Sequence, residues 1–209
     1  MKSSRKITFF HSPNTRSTGV LILLEELGAP YELTVLNMKA GEQREPRYTA
    51  INPMGKVPAV TCDGELVTEQ PAIYIYLADL FPQGGLAPAI DDSLRGSYLR
   101  WLVFYGSSFE PAIIDKSQKR EPAPRGMSPY GDFDTMLGTL TQQLAQGPYL
   151  LGAQFTAADV LWGTALTWTT KFGLVPMLPV IQSYIERVNA RPAVIRGRAK
   201  DAELAAAQT

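Results

Sequence analysis

Cysteine and histidine occur once each in these 209 residues, as Cys62 and His11. One residue of each kind makes no intrachain disulfide, no cysteine-rich cluster and no histidine-rich zinc site, so no metal is expected. An excess charge of one sign is missing too: 20 basic residues balance 20 acidic ones, which leaves no whole-chain field to attract nucleic acid or an anionic membrane. No run approaches the ~18 apolar residues of a spanning helix. The opening "MKSSRKITFFHSPN" lacks a secretory h-region. These absences point to a soluble protein of a reducing compartment, the cytoplasm, with neither nucleic acid nor membrane as partner. What is present is globular, with 45 % hydrophobic and 19 % charged residues. The length suits one large domain or two small ones.

Two organisations follow one another along the chain. "KITFFH" is rich in β-branched and aromatic residues and predicts a strand. The polar cluster "SPNTRST" leads into "GVLILLEELG", a helix stopped by Gly28 and Pro30. "YELTVLNM" predicts a second strand. "KVPAVTCDGELVTE" predicts a hairpin turning at Asp63-Gly64. "QPAIYIYLADLF" predicts a helix with Pro71 in its first turn. After a Pro- and Gly-rich linker the pattern turns helical, with candidates at 94–117, 132–146, 157–171 and 177–190. The fold class is therefore α/β plus all-α: a small domain over 1–81, a linker over 82–92 and a helical domain over 93–209. The alanine-rich tail "DAELAAAQT" reads as a frayed helix.

One feature breaks its own pattern. In "INPMGKVPAV" (51–60), Pro58 interrupts an apolar run, although proline cannot complete a sheet ladder and belongs at an edge or a bulge. Four segments, this one included, resemble the cytosolic glutathione transferase family, of the bacterial type without an active-site cysteine. They are "SPNTRSTGVLILLEELG", "NPMGKVPAV", "TEQPAIYIYLADLFP" and "GAQFTAADV", in the family's order and spacing over nearly the whole chain. The resemblance implies a thioredoxin-like first domain, a helical second domain, glutathione as co-substrate and a homodimer. It implies that Pro58 follows a cis bond and that Val57 pairs its backbone with the tripeptide's cysteine. It also implies that Glu69 receives the γ-glutamyl amino group and that Gln70, where the family usually has serine or threonine, helps to hold the γ-glutamyl carboxylate. Lys56 and Arg44, near the same groove, are candidates for the glycine carboxylate.

The chemistry needs a thiolate. A free cysteine thiol titrates near pH ~8.5, and lowering that by ~2 units takes about 2.7 kcal/mol of preference for the anion. A hydroxyl bonded to a charged sulfur contributes roughly 1.5–3 kcal/mol, and a helix N-terminus up to ~1 kcal/mol. "SPNTRSTG" supplies both parts. The family's serine or cysteine position falls near Asn14, Thr15 or Arg16, none of which is serine or cysteine. Thr15 is the first choice because it keeps a hydroxyl; Ser17 and Asn14 follow as catalytic candidates. Ser12 and Arg16 are placed against glutathione, Arg16 adding positive charge. The same residue types also cap helices. His11 and Cys62 read as structural, His11 at the margin of the pocket.

The second substrate is expected against the helical domain, where Trp101, Tyr105, Trp168 and Phe172 suit an apolar electrophile pocket. Helical spacing makes the same aromatics candidates for core. "FTAADV" predicts a capping box between Thr156 and Asp159, flanked by Phe155 and Val160 as a staple. The function expected is a detoxifying glutathione transferase. The alternatives are a glutathione-dependent reductase or peroxidase, or a non-catalytic ligand-binding or interaction protein.

Overall fold

The computed structural model describes residues 5–208. In chain order the elements are β1 (Ile7–His11), α1 (Ser17–Leu27), β2 (Glu32–Val35), α2 (Pro46–Thr49), β3 (Ala59–Cys62), β4 (Glu65–Val67) and α3 (Gln70–Leu80). Helices α4 (Arg95–Phe104), α5 (Glu110–Ser117), α6 (Phe133–Leu144), α7 (Ala157–Lys171), α8 (Pro179–Asn189) and α9 (Pro192–Ala206) follow. They form two compact units. One runs to Gly84 and takes back the chain from Pro192 onward; the other spans Gly85–Arg191.

The first unit carries a four-stranded sheet of order β2-β1-β3-β4. β1 pairs in parallel with β2 and antiparallel with β3, and β3 turns into β4 at the expected Asp63-Gly64 corner. A parallel neighbour demands a crossover, and α1 is that crossover. Five successive residues of α1, Val20 to Leu24, are at most 1 % exposed, more than a helix with one solvated face would show. The cover on the far side is α9. Gly197 lets the two backbones approach: a Cβ there would lie 2.7 Å from Ile22 Cγ1 and 3.1 Å from Ile22 Cα.

This is the main departure from the sequence-based organisation, which places the tail in the helical domain as a frayed end. The tail belongs to the first unit because α1 has apolar residues on two sides to bury. Gly197→Val is expected to destabilise the protein by about 1–3 kcal/mol through overpacking. At this chain length that lowers Tm by roughly 2–4 °C per kcal/mol. An unchanged melting curve would show that the helices separate at no cost.

The second unit is helical, as expected, and built around Trp162. Its ring centroid lies 4.9 Å from Phe109, 5.6 Å from Tyr105 and 6.3 Å from Trp101, and its indole N–H donates to Trp101 O at 2.9 Å. Ahead of Pro111 the helix opens into a π turn over Tyr105–Phe109, in which the Glu110 N–H reaches back five residues to Tyr105 O. Pro111 has no N–H to give, and the ladder widens just before it. The linker is only partly a free connection: Leu86 is buried and its carbonyl accepts from the Ala157 N–H at 2.8 Å.

Asp159 fastens the start of α7 as predicted. Its Oδ2 accepts the Thr156 N–H (2.9 Å) and hydroxyl (3.1 Å), and its Oδ1 accepts the Leu150 N–H (2.9 Å) and the Tyr184 hydroxyl (2.9 Å). Phe155 pairs with Tyr149 at 5.1 Å and lies under the Arg191 guanidinium at 3.5 Å. No helix of the described residues is long and apolar enough to cross a membrane.

Candidate functional site

Three segments of the first unit converge at one end of its sheet. The first is the β1–α1 loop. The Asn14 backbone is left-handed (φ 57°), a conformation asparagine tolerates, and it turns the chain back so that α1 can start at Ser17. Thr15 Oγ1 donates to Ser12 O (2.7 Å) and accepts the Ser17 N–H (3.2 Å), so it serves the helix start while staying half-buried beside it. Asn14 is exposed and Arg16 half-buried.

Ser12 and Ser17 differ from their expected places. Both are buried, at 3 % and 0 %. The Ser17 hydroxyl touches Ser12 N (3.1 Å), Ser12 O (2.9 Å), Thr15 Oγ1 (2.7 Å) and His11 Nδ1 (2.7 Å). It sits beneath the loop because the loop's backbone polar groups need a partner there. It supports Thr15 and does not itself face outward. The Ser17–His11–Asp201 sequence of contacts looks like a hydrolase triad, but a fully enclosed hydroxyl cannot attack a substrate.

The second segment is 51–58. The Val57–Pro58 bond is cis. Tyr48 OH and Asn52 Nδ2 both donate to Lys56 O, the latter at 2.9 Å. Gly55 is left-handed (φ 58°), and a Cβ there would lie 2.8 Å from Gln43 O, so only glycine fits. Pairing of β3 with β1 begins at Ala59, which leaves Val57 outside the ladder. Lys56 and Arg44 line one open groove of about 280 Å³ together with Met38, Gln43, Thr49 and Met54.

The third segment is the start of α3. Glu69 is exposed with φ 61° and ψ 115°, and Gln70 Nε2 donates to Arg16 O at 3.1 Å. That bond ties the third segment to the first.

Asp201 of α9 joins the loop from below. Its Oδ2 accepts the Asn14 N–H at 3.1 Å, and its Oδ1 accepts the Thr18 hydroxyl at 2.7 Å and lies 3.1 Å from His11 Nε2. Burial alone would push this carboxyl up. The contacts from His11, Thr18 and Asn14 outweigh it and hold Asp201 below the usual carboxylate range. Sequence reasoning does not find Asp201, which sits in an alanine-rich tail. Gly197 inside the same helix is the available signal, since a glycine within a helical pattern marks close approach.

The aromatic candidates divide. Trp101 (0 % exposed) and Tyr105 (2 %) are enclosed in the Trp162 cluster, with Tyr105 OH bonded to Glu110, so neither lines an open surface. A helix face between two others in a bundle fills its core first. Trp168 is half-buried, Phe172 is 71 % exposed, and their rings meet edge to face at 6.3 Å. Cys62 is buried at the end of β3. Among the described residues no group of three or more His, Cys, Asp or Glu is placed to hold a metal ion.

Comparison with known proteins agrees with this geometry. Residues 5–79 match the glutathione S-transferase N-terminal domain and residues 130–187 the C-terminal domain. Glutathione S-transferase GstA of Escherichia coli O157:H7 is 28 % identical over 188 residues, covering 88 % of this chain and 94 % of its own. Disulfide-bond oxidoreductase YfcG of Escherichia coli K12 is 25 % identical over 201 residues, covering 90 % and 92 %. A sphingomonad glutathione S-transferase solved with glutathione superposes with a TM-score of 0.77 at 31 % identity, covering 93 % of this chain and 98 % of that one. With domains of the family matched in both units and the expected fold present, the chain belongs to the cytosolic glutathione transferase family.

Proposed function

We propose that this protein binds glutathione in the first unit and activates its thiol through the Thr15 hydroxyl, for attack on an apolar electrophile. The observation that carries this reading is the Gln70 Nε2–Arg16 O bond. It brings together the helix start expected to face the sulfur and the helix start expected to hold the γ-glutamyl end. Val57, outside the ladder, offers the peptide strand-like hydrogen bonds from a third side. Glu69 takes the amino group, and Lys56 and Arg44 meet the glycine carboxylate from their shared groove. Held there, thiol and electrophile react as neighbours. A cytoplasmic homodimer belongs to the same reading.

The test is the ultraviolet thiolate band of bound glutathione followed across pH. An apparent pKa about two units below the free value near ~8.5 is expected, reverting toward it in Thr15→Ala. Saturable binding with no such lowering would leave a glutathione-holding protein without thiol activation.

The relative named as a disulfide-bond oxidoreductase favours a second reading, in which the glutathione thiolate attacks a disulfide. The mixed disulfide would then form on glutathione and be resolved by a second glutathione, because the loop has no cysteine and Cys62 is buried. Comparing turnover of an activated aryl halide with that of a small disulfide separates the two.

A further inference from the structure

Granted that Thr15 activates the thiol, we propose that Asp201 and His11 are positioning residues that hold the Thr15 hydroxyl in place at the edge of the site, acting through Ser17. The chain of contacts is continuous: Asp201 Oδ1 to His11 Nε2 at 3.1 Å, His11 Nδ1 to Ser17 Oγ at 2.7 Å, and Ser17 Oγ to Thr15 Oγ1 at 2.7 Å. His11, Ser17 and Asp201 are 0 %, 0 % and 6 % exposed, so no solvent competes along it. Thr15 alone of the four is half open.

The contacts fix where the Thr15 oxygen sits. Ser17 Oγ lies against Ser12 N (3.1 Å), Ser12 O (2.9 Å) and His11 Nδ1 (2.7 Å), so His11 helps to set its place, and His11 in turn faces the Asp201 carboxylate. Thr15 Oγ1 rests on this base: it meets Ser17 Oγ, receives the Ser17 N–H at 3.2 Å and gives its proton to Ser12 O at 2.7 Å. A thiolate beside Thr15 is a stronger acceptor than that carbonyl, and the hydroxyl can turn to it without its oxygen moving.

Of these four residues only Thr15 is placed to meet the ligand, so the expected signature is a change in thiol titration without a matching loss of binding. Asp201→Asn should raise the apparent pKa of bound glutathione by about one unit, while its dissociation constant moves less than about threefold, within ~0.7 kcal/mol. Asp201→Glu should restore part of the lowering. Because Asp201 also anchors Asn14 and Thr18, a second variant guards against a folding defect. Ser17→Ala leaves those anchors intact, cuts the relay and should raise the pKa by the same amount. The double variant Asp201→Asn/Ser17→Ala should add nothing to either alone, as members of one network behave. If the wild type lowers the thiol pKa and Thr15→Ala abolishes this, but folded Ser17→Ala titrates as wild type, the relay is refuted while Thr15 keeps its role. If the wild type shows no lowering, Thr15 activation and the relay fall together.

Discussion

Asp159→Ala is expected to cost about 3–5 kcal/mol, the range for removing one member of a buried charged network. The number follows from what the carboxylate leaves behind. Four donors end on it, from Leu150, Thr156 twice and Tyr184. Asp159 itself is fully enclosed. Each buried donor stranded without a partner costs about 1–3 kcal/mol, and water entering the space recovers only part of this. Burial pushes the Asp159 carboxyl up while these same donors pull it back. The site therefore works through its hydrogen bonds more than through charge. It ties three pieces of the second unit together: the turn before Leu150, the start of α7 and the middle of α8.

Against a total stability of about 5–15 kcal/mol, such a loss leaves a chain close to unfolding at room temperature. Urea denaturation should show the midpoint falling with the slope unchanged. Asp159→Asn should be milder, since one oxygen still serves Leu150 and Tyr184 while its amide N–H₂ meets the Thr156 N–H, a donor against a donor. The residues proposed to hold glutathione lie in the first unit. The folded fraction of either variant should therefore bind it as the wild type does. A wild-type midpoint for Asp159→Ala would show that the donors find other partners at no cost.

The capping box was legible because it is local: Thr156 and Asp159 are three residues apart, and their side chains fit only one helix start. The hairpin at Asp63-Gly64 and the helix stop at Gly28 were legible for the same reason. What escaped was non-local. Trp101 and Tyr105 have the spacing of a helix face whether that face meets solvent, a ligand or another helix. Only the position of Trp162, about sixty residues on, puts them in the core. Asp201 reads as one more charge in a polar tail until α9 is laid on α1, and that contact depends on Gly197 facing Ile22. The hydroxyls of "SPNTRST" were all visible as candidates. Which of them are enclosed depends on contacts with His11, at the end of a strand, and with Asp201, on a helix far along the chain. Composition located the loop; topology decides which of its members are buried.

Glu69 is where a large loss of function is expected at little cost in stability. Its backbone (φ 61°, ψ 115°) lies in a region that L residues other than glycine rarely adopt, and such strain costs about 1–3 kcal/mol. It is exposed, so no packing requires a glutamate there. Glu69→Gly relieves the strain, less about 0.4–1 kcal/mol for the added freedom of the unfolded chain and less about 0.3–1 kcal/mol for an acidic group lost at the start of α3. The balance runs from about 1 kcal/mol destabilising to about 2 kcal/mol stabilising and centres on a small gain. Glutathione binding should meanwhile fall by about 10- to 100-fold, the worth of one charge-assisted hydrogen bond to the γ-glutamyl ammonium. Glu69→Gln separates the two contributions. It keeps the strained backbone and the side-chain size, so its stability should stay within about 1 kcal/mol of the wild type, while its affinity drops nearly as far as that of the glycine variant. Titration calorimetry with glutathione, run beside thermal denaturation of both variants, reads the two effects independently. A glutamine variant that binds as tightly as the wild type would mean that the carboxylate only complements the helix terminus, and that the γ-glutamyl amino group is held elsewhere.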